Sequence, residues 1–136
     1  MANRLKLEVV TPDRKLLSEE VEYVGAPGVE GEFGVLPNHI PFISALGVGS
    51  LYYKQNGRRY YVFVAGGFAE VSKDKVSILA EVAERAEEID LERAKRKLEE
   101  TKRLLQQQLD KEAYARAKAS LAKAFHRMRC KECASL

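Results

Sequence analysis

The sequence predicts an α+β chain: an N-terminal antiparallel β-sandwich followed by a C-terminal antiparallel hairpin of two helices. Three observations predict it. All 9 Gly and all 4 Pro lie in residues 1–67, so no helix breaker follows Gly67. Up to Ala83 the apolar residues come in short alternating runs, bounded by turn residues at roughly 8–12-residue spacing, as in a sandwich or barrel. Beyond it they recur every three to four residues, as on one face of a helix. The division expected is a sandwich over residues 1–84 and a helical domain over 85–136 with a short C-terminal tail.

The strands follow in order. Leu5, Leu7 and Val9 alternate with Arg4, Lys6 and Glu8, and Thr11-Pro12-Asp13 reads as a turn. Val21 and Tyr23 begin a second strand, ended by Gly25-Ala26-Pro27. Within GVEGEFGVLPNHIPFIS, residues 28–44, two short extended runs (Phe33–Leu36 and Ile40–Ser44) flank a Pro-Asn-His-Ile-Pro turn. A strand runs from Gly47 through Tyr53. Gln55-Asn56-Gly57 then carries the Asn-Gly signal of a tight hairpin. Arg59–Ala65 is an apolar strand, and Gly66-Gly67 marks a bulge or a close backbone approach. Phe68–Val71 and Val76–Ala80 pair about a Lys73-Asp74 turn. Tyr52-Tyr53 and Tyr60-Tyr61 are adjacent pairs, so one of each faces the core.

Two helices are expected at about 90–106 and 110–130. Leu91, Ala94, Leu98, Thr101 and Leu105 form one stripe, and Tyr114, Ala117, Leu121, Ala124 and Met128 the other. Asp90 and Asp110 are suitable N-caps. Glu92–Arg96 and Glu99–Arg103 are i,i+4 pairs in the favoured order. The connection Leu105-Gln-Gln-Gln-Leu109 has good helix propensity and no breaker. A single rod over Leu91–Met128 would span about 57 Å. An Ala-rich seam also buries little area, so a hairpin that can switch to a rod is one expectation and a stable hairpin that merely props the sandwich is the other.

The charge balance is asymmetric. Residues 1–83 hold 9 basic and 10 acidic residues, whereas 84–136 hold 14 and 10, and from Ala113 onward the count is 6 to 1. Positive charge gathered there fits an acidic partner surface or a phosphate. No apolar run approaches the ~20 residues of a membrane helix. MANRLKLEVV lacks the apolar stretch of a signal peptide, so a cytosolic chain is expected. Cys130 and Cys133 form half a zinc site at most. His126 would add a third ligand and no fourth is evident, so no metal is expected and the pair reads as a reduced tail.

Catalysis finds no support. G-x-S-x-G, H-E-x-x-H and G-x-x-x-x-G-K are all absent. His39, between two prolines, reads as a packed turn residue. Nucleic-acid binding is not expected either, because no Arg-and-aromatic surface is apparent on the strands.

Several segments together resemble the epsilon subunit of bacterial F-type ATP synthases. They are LEVVTPD (7–13), GEFGVLPNHIPFI (31–43), VAGGFAEV (64–71), VSILAEVAERAEEIDLERA (76–94) and ASLAKAFHRMR (119–129). The resemblance implies a non-catalytic rotor subunit on the cytoplasmic face of the bacterial inner membrane, peripheral to it. It implies binding to the gamma subunit and to the ring of c subunits, and helices that extend into the catalytic head to block ATP hydrolysis. Glu30, Glu32 and His39 would then meet gamma or the c ring. Solvated loop charge is the plain alternative for the two glutamates, and local packing for the histidine. Arg116, Lys118, Lys123, Arg127 and Arg129 would face the beta subunit (with alpha alongside) in the extended state, or simply solvent.

Ile89-Asp90-x-x-Arg93-Ala94 is similar to the family's ATP-binding signature. Arg93 falls at the third helical position, where a cation opposes the helix dipole and an anion is the natural partner. By the resemblance, Glu84 and Asp90 would contact adenosine, with Arg93 and Ala94 alongside. Lys123 and Arg127 would meet the phosphates of ATP, a regulatory ligand rather than a required cofactor. Lys123 stands where the signature carries Arg, losing the bidentate fork.

Overall fold

Burial alternates along the first strand: Leu5, Leu7 and Val9 are buried and the residues between them are not. The computed structural model describes residues 4–135. Its elements are β1 (Leu5–Val10), β2 (Lys15–Val21), β3 (Tyr23–Gly28), β4 (Gly31–Val35), β5 (Phe42–Ala45), β6 (Val48–Gln55), β7 (Arg58–Val71) and β8 (Lys75–Arg85). A 3-10 turn at Ala86–Glu88 leads to α1 (Leu91–Leu105) and α2 (Lys111–Ala134). The strands follow the order β2-β1-β8-β7-β6-β3-β4, with β5 also on β7. All pairs are antiparallel except β1 with β8, which is parallel.

The sandwich closes on β7, a single 14-residue strand where the sequence suggested two. Its first half pairs with β6 and its last four residues with β5, while β8 runs along the opposite edge. Before the glycine pair, Val62 and Val64 point into the core; after it, Ala69 and Val71 do. The side chains that face inward therefore change parity at Gly66-Gly67, where both φ values are positive (74° and 108°). A Cβ on Gly67 would lie 2.0 Å from the Leu79 carbonyl oxygen. The close backbone approach expected from the sequence is thus the corner at which one strand passes between two sheets.

Asn56 and Gly57 both take positive φ, giving the two-residue hairpin that Asn-Gly favours. Tyr53 is buried and Tyr60 packs against the core, so each tyrosine pair contributes one inward ring. The outward partners differ from expectation. Tyr23, Tyr52 and Tyr61 line up with ring centroids 5.7 and 6.0 Å apart, and Arg59 lies 4.4 Å over Tyr52. An Arg-and-aromatic cluster does therefore exist. It lies flat over sheet glycines: Cβ atoms on Gly25 and Gly34 would strike Tyr52 and Tyr23. The rings fill the surface that those glycines leave open.

The main core is drawn from residues 5–83 alone. Each fully buried Val, Leu or Ile there contributes about 1.5–3 kcal/mol. A second cluster joins sandwich to helices: Phe63, Ala65, Ala86, Ile89 and Cys130, flanked by Val48, Tyr61 and Val82. The α1–α2 seam is made of small residues, with Ala94, Thr101, Ala117 and Ala124 buried. Asp90 and Asp110 both cap as expected, accepting from the N–H of Arg93 (3.1 Å) and Ala113 (2.8 Å). Leu105 ends α1 in spite of the helix propensity that follows it. Tertiary packing of the seam overrides local preference.

Two expectations fail here. α2 continues to Ala134, so Cys130 and Cys133 lie in a helix rather than a tail. Cys130 is fully buried because it lies one turn from Arg127 on the face that meets the sheet. In addition, neither expected i,i+4 pair of α1 forms. The ion pair present there is Glu99–Lys102 at 3.9 Å, consistent with the small gain from exposed pairs.

Candidate functional site

A cleft of about 640 Å³ opens where the end of β8, the start of α1 and the middle of α2 converge. Its base is Ala94 and Ala124, both buried, whose small side chains leave the space open. Glu84 and Glu88 border it from the sandwich side, and Asp90 and Arg93 from the first turn of α1. Arg96, Lys97 and Glu100 continue the α1 wall, and Arg127 closes it from α2. Five of the six residues expected at a nucleotide site therefore meet in one cavity: Glu84, Asp90, Arg93, Ala94 and Arg127. Lys123, one turn before Arg127, is half-buried and does not line it.

Two of the acidic residues are already engaged. Arg127 donates from Nε to Glu84 Oε1 at 2.5 Å, and its guanidinium lies 4.7 Å from the Phe63 ring centre. Arg14, from the β1–β2 turn, donates to both Glu88 carboxylate oxygens at 3.0 Å. That bond, with the Arg85 N–H donating to Glu88, holds the Glu88 carboxyl below its ordinary value. By contrast, no carboxylate pairs with Arg93, Arg96 or Lys97 among the described residues.

Arg96 and Lys97 were not singled out from the sequence. The signal was available: they follow Arg93 by three and four residues, so on a helix they share its face. Glu88 and Glu100 were missed as well. Glu88 reaches the cleft only because the 3-10 turn folds it back, which no local pattern announces.

The other expected residues lie elsewhere. Glu30 and Glu32 border a shallow hollow with Phe33, Phe42 and Ile43. The half-buried His39 packs its ring 5.3 Å from Phe42, with Nδ1 2.8 Å from the Ile40 carbonyl oxygen. Arg116, Lys118 and Arg129 are exposed on α2, and the latter two lie over Tyr114 and Phe125 of their own helix. His126 has its pKa lowered by burial and by Arg129. Burial likewise pushes the Cys130 thiol up to about 11. No cluster of metal-ligating side chains occurs among the described residues. No helix of the described residues is long and apolar enough to cross a membrane.

The architecture is a sandwich whose outer sheet carries a two-helix hairpin, with a charged cleft at their junction. Family models match both parts. The ATP synthase delta/epsilon chain β-sandwich domain matches residues 4–86, and the long α-helix domain of the same family matches 87–132. The chain belongs to the family of ATP synthase epsilon chains. It is 60% identical over 129 residues to the ATP synthase epsilon chain of Nitratidesulfovibrio vulgaris (strain DP4), covering 95% of this chain and 96% of that one. With the epsilon chain of Maridesulfovibrio salexigens it shares 59% over 134 residues, covering 98% and 94%. A chain in the Euglena gracilis mitochondrial ATP synthase structure of OSCP, F1 and c-ring superposes with a TM-score of 0.81 at 28% identity, covering 92% of this chain and 79% of that one.

Proposed function

We propose that this chain is the non-catalytic central-stalk subunit of a proton-translocating bacterial ATP synthase, and that its hairpin is a nucleotide-sensitive brake on ATP hydrolysis. The division of labour follows the architecture. The sandwich, residues 1–84, binds gamma and the c ring; the helical part, 85–136, regulates. The complex holds the chain peripherally at the cytoplasmic face of the membrane.

The observation that carries this reading is the cleft. Its ligand would touch the sandwich, α1 and α2 at once, so binding favours the folded hairpin over any extended form. Adenosine would lie by Glu84, Asp90 and Ala94 at the start of α1. The docking surface has its own support. Ile43, Phe68 and Leu79 are more than half exposed, and Phe68 pairs directly across from Leu79. They form an apolar band across β5, β7 and β8, suited to gamma. Glu30 and Glu32, beside the exposed Val29 and Ile43, offer charge to the loops of the ring.

Reconstitution tests the reading. Residues 1–86 contain the whole main core and should fold, bind gamma and restore coupling, yet leave hydrolysis uninhibited. Full inhibition by that fragment would remove the helices as the brake. Calorimetry on the full chain should detect ATP at millimolar concentration, and an Arg93→Ala variant should bind it more weakly.

A further inference from the structure

The two thiols of α2 lie three residues apart on one helix and meet different surroundings. Cys130 is buried in the cluster of Phe63, Ala65, Ala86 and Ile89, with its thiol beside the Ser50 hydroxyl. Cys133 is half-buried, close to the end of the helix. Residues three apart on a helix are neighbours, with Cα atoms about 5 Å apart and Cβ atoms about 5–6 Å apart. A disulfide accepts that Cα spacing but needs its Cβ atoms about 3.5–4.5 Å apart. The pair is therefore near enough to join, yet too wide to join while the last turn of α2 stays helical. That turn is lightly held. α2 ends at Ala134, and Ser135 closes it, donating from its N–H to the Glu132 carbonyl and from its hydroxyl to the Lys131 carbonyl, both at 3.1 Å. The side chain of Lys131, between the two cysteines, donates to the carbonyl oxygens of Ala86 and Glu87 at 3.1 and 3.5 Å.

We propose that Cys130 and Cys133 form a thiol–disulfide exchange site that couples the docking of α2 to the redox state of the surrounding thiols. The accessible Cys133 reacts first. Its thiolate attacks a low-molecular-weight disulfide, forms a mixed disulfide and releases one thiolate, which takes up a proton. Cys130 then gives up its proton and attacks the Cys133 sulfur, forming the intrachain bond and expelling the second thiol. In total two electrons and two protons pass from the protein to the external disulfide, which becomes two thiols. The second step does not occur in the docked helix. There the Cys130 sulfur lies in the apolar cluster, and burial pushes its thiol up to about 11, so it is a poor nucleophile. It reacts once the end of α2 lifts from the sheet. The closed bond then keeps the last turn unwound. Lys131 lies inside the short loop so formed, and its tie to Ala86 and Glu87 is lost with the turn. Oxidation therefore traps the released end of α2, and an external dithiol restores the docked form. None of these steps requires a ligand in the cleft.

The full-length chain is treated with excess oxidised glutathione, quenched by alkylation at timed points and read by intact and peptide mass spectrometry. A glutathione adduct at Cys133 should rise and then decay, as a chain lacking two hydrogens and resistant to alkylation accumulates. In Cys130→Ala the adduct should persist. In Cys133→Ala adduct formation should be at least tenfold slower. Amide hydrogen exchange over residues 124–134 should be at least tenfold faster in the oxidised chain than in the reduced one, with the strands unchanged, and should return after dithiothreitol. The decisive readouts come from the unaltered chain, so they stand even where a variant folds poorly. An adduct that persists at Cys133 in the unaltered chain, or chains cross-linked through it, would overturn the exchange site. An intrachain disulfide with unchanged amide exchange would overturn its coupling to docking.

Discussion

Glu84 and Arg127 are joined by a 2.5 Å hydrogen bond although 43 residues separate them, and the same two side chains close the cleft. Sandwich and hairpin are therefore fastened at the place where a ligand would enter. Glu84→Gln keeps the shape and removes the charge. Amide hydrogen exchange over residues 124–134 should then accelerate, with α1 little changed. Arg127→Ala should accelerate it further, because the stacking on Phe63 is lost too. Unaltered exchange in both would assign the docking to the apolar cluster around Cys130.

In the proposed brake, the exposed cations of α2 would act separately from that clamp. An Arg116→Ala/Lys118→Ala/Arg129→Ala variant leaves Arg127 in place, so the folded hairpin should keep its stability. Inhibition of ATP hydrolysis should weaken, and the difference from the unaltered chain should shrink at high salt, since exposed charges are screened within about 8–10 Å. Unchanged inhibition would make the block purely steric.

Gly67→Ala should destabilise the sandwich by on the order of 3 kcal/mol, through left-handed backbone strain and a clash with backbone at Leu79. Gly57→Ala has positive φ but open space around its Cβ, so its cost should be smaller. Denaturant melts of the two variants check the order.

Arg14 holds the Glu88 carboxyl below its ordinary 4.5. A depressed folded-state pKa means that the tie stabilises the fold fully above 4.5 and is lost as pH falls through the lower folded value. Arg14→Ala should therefore cost stability near neutrality and less at strongly acidic pH. Thermal melts from pH 7 down to pH 3 should show the two proteins converging. Parallel curves would mean that the tie contributes nothing.

The two thiols should differ in reactivity. Cys130 is buried with its pKa pushed up to about 11, so at pH 8 a thiol reagent should label Cys133 first. Labelling of Cys130 should await release of α2 from the sheet, and ATP should slow it. Mass spectrometry of timed samples measures both rates; equal rates would mean that the last turns of α2 are not docked.

Much of this was legible in the residues. The Gly/Pro cutoff, the Asn56-Gly57 hairpin and the caps Asp90 and Asp110 depend on local chemistry, and local chemistry is written in order. The start of α1 marked Asp90 and Arg93 for the same reason, whereas Ala94 entered as a site residue only through the family resemblance. What escaped was set by tertiary geometry. No window of sequence reports that β7 joins two sheets, or that β1 runs parallel to β8. Burial of Cys130 depends on Phe63, Ala65 and Ala86 lying beneath it. Arg96 and Lys97 share the helix face of Arg93 by spacing alone, but that this face is the wall of a cleft follows only from α2 standing opposite it.

The double membership of β7 has a mechanical meaning. Residues 58–65 are stitched to β6 and residues 68–71 to β5, with β8 along the other edge of both. A twisting load applied near Ile43 passes into β7 through backbone hydrogen bonds, turns the corner along covalent bonds, and leaves through β6. It need not cross the side-chain interior, the softer path under shear. The sandwich is in that sense braced along the one strand that both sheets share.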